Sequence, residues 1–76
     1  MYKVNGYFEC SYNKLTSLEG APKEVGGSFN CYGNKLTTLE GAPKEVGGNF
    51  DCVDNPVKFT EEQVRAVCNV KGKVYV

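Results

Sequence analysis

The chain has no histidine, no tryptophan and a single methionine in 76 residues. Without imidazole, Ser–His and Cys–His nucleophile pairs are excluded, as are metal sites built on histidine. Net charge is missing too: nine Lys plus Arg offset nine Asp plus Glu. Such a chain exerts no bulk pull on nucleic acid or anionic membranes. No apolar run approaches the roughly 18 residues of a membrane span, and the opening MYKVNGYF does not read as a secretory signal. The length leaves no room for a second folded domain. What remains is a globular composition, 41% hydrophobic and 24% charged, which predicts a small soluble binding or structural protein and no enzyme.

The chain repeats itself. Residues 8–28 read FECSYNKLTSLEGAPKEVGGS and residues 29–49 read FNCYGNKLTTLEGAPKEVGGN, identical at 16 of 21 positions. A degenerate third copy fills residues 50–76 and keeps Phe50, Cys52, Asn55 and Val57 before a different C-terminal segment. Residues 1–7 fit the end of a preceding partial copy. The whole chain reads as one domain built on an internal period. The pairs Phe8/Cys10, Phe29/Cys31, Phe50/Cys52 and Val74/Val76 alternate with polar residues, the signature of short strands. Strands recurring in one sense at a fixed spacing pair in parallel, because hairpin returns would reverse alternate copies. Four short parallel strands stacked as a repeat solenoid are therefore expected.

The remaining shared positions complete a coil. Asn13, Asn34 and Asn55 are placed to bond the backbone of their own and neighbouring turns. Leu15, Leu36 and Val57 are expected to refill the core, and Leu18, Leu39, Ala21, Ala42, Val25 and Val46 to line the return segment. Pro22 and Pro43 stiffen that return, and the Gly26-Gly27 and Gly47-Gly48 pairs are expected to turn the chain into the next strand. The pattern F-x-C-x-x-N-x-L-T-x-L-x-G-A-P resembles the leucine-rich repeat, with Phe and Cys replacing two leucines. It is most similar to the short Pro-containing repeats of bacterial and phage proteins. The resemblance implies a leucine-rich-repeat-like solenoid and, by analogy, a phage protein directed at a host component. A triangular parallel β-helix is the alternative fold.

The C-terminal segment predicts a helix over 60–68, opened by the capping box Thr60-Glu61-Glu62-Gln63. Phe59 and Val64 have staple spacing, and Val64, Val67 and Cys68 form an apolar stripe. The helix reads as an end cap. The N-terminal end has only residues 1–4 as cover, so its edge is a candidate homodimer contact.

Copies one and two differ at Glu9/Asn30, Ser11/Tyr32, Tyr12/Gly33, Ser17/Thr38 and Ser28/Asn49. Four of these five lie beside the inward strand residues, whereas LEGAPKEVGG, expected to be largely exposed as well, is unchanged. Drift at exposed sites costs little, yet exposure alone does not explain that contrast. The strand face is therefore the candidate partner-binding surface: Tyr7, Glu9, Ser11, Tyr12, Ser28, Asn30, Tyr32, Asn49, Asp51, Val53, Asp54, Lys73 and Tyr75. Tyrosine offers amphipathic contact area at low entropic cost. The acidic residues predict a protein partner carrying a basic patch, bound by an adaptor or inhibitor.

Other chemistry ranks lower. Cys10, Cys31, Cys52 and Cys68 have spacings of 21, 21 and 16, which follow the repeat and contain no C-x-x-C knuckle. They read as small buried hydrophobes and free thiols, which points to a reducing cytoplasm, with no metal or cofactor expected. The double glycines lack the surroundings of a phosphate loop. Rows Lys14/Lys35 and Lys23/Lys44 interleave with glutamates and read as a solvated surface, so nucleic-acid binding ranks last, behind self-assembly.

Overall fold

Each coil contributes two strands of two residues, set on either side of a corner and four positions apart. The computed structural model, which describes residues 2–76, places β1 (Lys3–Val4), β3 (Glu24–Val25), β5 (Glu45–Val46) and β7 (Asn69–Val70) in one parallel sheet, in that order. A second parallel sheet holds β2 (Phe8–Glu9), β4 (Phe29–Asn30), β6 (Phe50–Asp51) and β8 (Val74–Tyr75). Phe8 stacks on Phe29, Phe29 on Phe50 and Phe50 on Val74. The molecule is a β-solenoid with the register expected for the phenylalanine strands. The other sheet was not foreseen. Its two central strands are the Glu-Val pairs of the return segment, whose valines have no second apolar residue two positions away.

The core is a stack of rows. Val25 and Val46 of the first sheet share the core with Phe29 and Phe50 of the second and with Cys31 and Cys52 just beyond it, and Leu18, Leu36 and Ala42 close the coil. Pro22 and Pro43 are themselves fully buried. The apolar positions of LEGAPKEVGG are therefore packed inside, which explains why they are unchanged between copies; the equally unchanged Glu19/Glu40 and Lys23/Lys44 are exposed and have no structural explanation. The expectation of a largely exposed return segment is corrected for these apolar residues only. Leu15 and Val57 also depart from expectation: both are exposed, because each belongs to a coil at one end of the stack, whereas Leu36 in the middle is sealed.

The double glycines lie at the bend between the two strands of each coil, as expected, and what requires glycine there is close approach rather than a left-handed φ. Neither Gly26 nor Gly47 has a positive φ. A Cβ at Gly26 would run into the Asn5 carbonyl oxygen of the coil below, and one at Gly47 into that of Gly26. The left-handed turns are instead made at Gly20 and Gly41, with φ of 87° and 88°. Asparagine behaves as expected. Asn34 Nδ2 donates to the carbonyls of Cys31 in its own coil and Cys10 in the previous one, both at 3.0 Å, while its Oδ1 accepts from Leu15 N. Asn55 repeats the arrangement one coil on.

Helix α1 (Glu61–Val67) is capped by Thr60 with both halves of the capping box formed. Phe59 and Val64 are buried in the core, whereas Val67, expected on the same stripe, is exposed. Among the described residues no helix is long and apolar enough to cross a membrane.

Candidate functional site

None of the thirteen candidate surface residues is buried. The strand register arranges them in rows. Glu9, Asn30, Asp51 and Tyr75 form one row across the second sheet. Tyr7, Ser28, Asn49 and Lys73 precede that sheet, and Ser11, Tyr32 and Val53 follow it, with Tyr12, Gly33 and Asp54 next along the chain.

Hydrogen bonds show that most of the differences between copies preserve a local task. Glu9, Asn30 and Asp51 each use a side-chain oxygen to accept from the backbone N–H two residues on, at Ser11, Tyr32 and Val53. Ser17 and Thr38 do the same for Glu19 and Glu40. Ser28 Oγ accepts from Asn49 N at 3.0 Å, and Asn49 Oδ1 from Lys73 N at 2.8 Å, tying each coil to the next. These substitutions exchange one acceptor for another. Glu9, Asn30, Ser28 and Asn49 therefore have structural work that the sequence reading did not assign to them. Tyr7 and Lys73 are exposed and precede the sheet, and Tyr75, also exposed, is the direct ladder partner of Asp51.

Two differences change the chemistry: Ser11/Tyr32 and Tyr12/Gly33. They converge on one feature. The Tyr12 ring packs edge-on to Tyr32 with centroids 5.3 Å apart, and it also lies over the bare Cα of Gly33. The backbone beneath Tyr12 is left-handed, with φ of 57°. Its counterparts Gly33 and Asp54 are left-handed as well, at 71° and 62°. Glycine suits that region and aspartate tolerates it, but a bulky aromatic there is an outlier costing of order 1–2 kcal/mol. Tyr12 is nonetheless 77% exposed, so burial of its ring in a core does not offset that cost. The charge around the pair is negative. The Tyr32 hydroxyl is held above its ordinary pKa, first by Tyr12 and next by Asp54, with Asp51 contributing. It thus stays protonated through the neutral range, a phenol on an acidic surface.

No family model, curated protein or solved structure matches the chain. The geometry therefore stands on its own.

The cysteines form a separate, interior feature. All four are free thiols. Cys10 and Cys31 donate from Sγ to the carbonyls of Asn30 and Asp51 in the next coil, at 3.3 and 3.2 Å. Among the described residues no group of His, Cys, Asp and Glu is placed to hold a metal ion. Burial, then Glu9, raises the Cys10 pKa. The neighbouring Cys52 thiol, then burial, raises that of Cys31, and burial pushes Cys68 up to about 11. Raised values mean little thiolate, the form that reacts. Titration of the native protein with a thiol reagent at pH 8 should therefore be slow at Cys10, Cys31 and Cys68, and denaturant should reveal four thiols. Rapid native reaction at all four would contradict the packing. For Cys68, the unfolded thiol ionises near 9.0 and the folded one near about 11. Stability from this group is present below pH 9 and is lost as pH rises through that window.

Proposed function

We propose that the protein is a non-enzymatic interaction module whose Tyr12–Tyr32 pair, with Asp51 and Asp54, docks a basic segment of another protein. One observation carries this reading: Tyr12 keeps an exposed aromatic ring on left-handed backbone where the equivalent coils use Gly33 and Asp54. Strain of that kind persists where something other than stability maintains it. Tyrosine faces beside carboxylates suit an arginine or lysine, which gains cation–π attraction of about 0.5–1 kcal/mol even at exposed sites. The resemblance of the coil to the leucine-rich repeat, in the short bacterial and phage form, supports an adaptor or inhibitor acting in the cytoplasm. The test is chemical-shift mapping with an arginine-rich peptide and an acidic peptide as control. Shifts centred on Tyr12, Tyr32 and Asp54, with the basic peptide only, are expected. Shifts confined to the lysine rows, or none with the basic peptide, would overturn the reading.

A second reading is self-association through the N-terminal end. It is favoured by a shallow apolar groove of about 170 Å³ lined by Phe8, Cys10, Leu15, Leu18 and Ala21. A two-copy species that dissociates on Leu15→Asp substitution would favour it over the tyrosine site.

A further inference from the structure

The two ends of a solenoid are normally complementary, since every coil seats on the one before. Here the register is preserved at both ends at once. Four positions separate Val4 from Phe8, and the same number separate Val70 from Val74, matching Val25–Phe29 and Val46–Phe50. A second copy of this chain could therefore continue both sheets, with its Val4 over Val70 and its Phe8 over Val74. The hydrogen bonds that such a copy would make are dictated by the coils already present. Gly26 N donates to Val4 O, Gly47 N to Val25 O and Lys71 N to Val46 O, while Gly27, Gly48 and Gly72 donate to the carbonyls of Gly6, Gly27 and Gly48. By continuation, Asn5 and Gly6 of the incoming copy would donate to Val70 O and Gly72 O.

Those two carbonyls are already taken. Arg65 Nη1 donates to Val70 O at 2.6 Å and Nη2 to Gly72 O at 3.0 Å. The guanidinium is held in place by Glu61, whose carboxylate accepts from Nε at 2.9 Å. A planar fork of donors thus stands where the N–H groups of a further coil would stand. We propose that Arg65 plugs the C-terminal sheet edge and thereby closes a head-to-tail interface between copies of this chain. Exposed edges recruit other strands, and a head-to-tail contact whose rotation does not close generates open-ended fibres. This plug acts independently of where any partner docks. Asn5 adds a partial obstacle. It brings a Cβ to the position of Gly26 and Gly47, where a Cβ meets the coil below, although Lys71 holds that position in the last coil.

The experiment is sedimentation velocity across a concentration series on wild type, Arg65→Ala, Arg65→Ala/Asn5→Gly and Arg65→Ala/Asn5→Pro, with thermal melts alongside. Wild type should hold one defined size. Arg65→Ala/Asn5→Gly should grow with concentration, to at least a doubling of mass, and Arg65→Ala should grow less. Asn5→Pro removes the donor to Val70 O and should restore the wild-type size. If Arg65→Ala does not melt cooperatively, Arg65→Lys, whose ammonium lacks the fork, is measured in its place. Folded variants that match wild type at every concentration would overturn the proposal, as would open-ended growth of wild type itself.

Discussion

Phe29→Ala should remove about 3–5 kcal/mol, out of about 5–15 kcal/mol for a typical domain. The ring has no exposed surface and sits between two others, stacked on Phe8 at 5.6 Å and tilted on Phe50 at 5.1 Å. Deleting it empties the middle of the row that joins three coils, and the neighbours cannot collapse without breaking the parallel ladder on either side. Denaturant unfolding would show the loss as a lower midpoint with an unchanged slope. A loss below about 1 kcal/mol, typical of a less committed site, would mean that the ring does not bridge the coils.

Leu36→Ala and Leu15→Ala make a paired test. Both leucines sit in the sequence Asn-Lys-Leu-Thr, yet Leu36 is 0% exposed and Leu15 is 37%. Truncating Leu36 should cost roughly 2–5 kcal/mol, the range for fully buried leucine. Truncating Leu15 should cost less than half as much, because its side chain is already partly in solvent and leaves a smaller cavity. Equal costs, measured by the same unfolding experiment, would contradict the end position of the first coil.

That pair also shows where sequence reasoning ran out. Identity between copies revealed the period, the parallel register of Phe8, Phe29 and Phe50, and the asparagine ladder, because each rests on a residue type repeated in place. It could not show that equal residues differ in burial, since that depends on position in the stack. The sheet formed by Glu24–Val25 and its partners was hidden because Val25 has Lys23 and Gly27 two positions away, whereas Phe29 has Cys31, so no alternation shows. The glycine pairs were read for the turn they make, but not for the bare Cα atoms that make room for the preceding coil. At the surface, Glu9, Asn30 and Asp51 were read as partner-binding residues, and their side-chain oxygens share one acceptor role within each coil. The position shared by Tyr12, Gly33 and Asp54 did carry a signal, since Gly and Asp both favour left-handed backbone. Arg65 gave none: beside Glu61 it reads as an ordinary surface pair four residues apart, and only the fold brings Val70 and Gly72 to its fork.

The most direct test of the functional account is Tyr12→Gly, compared with wild type for melting temperature and for affinity toward the same arginine-rich peptide. Glycine relieves the left-handed backbone, so the melting temperature should hold or rise while binding is lost. A Tyr12→Gly protein that binds as tightly as wild type would contradict the claim that this ring is kept exposed for a partner.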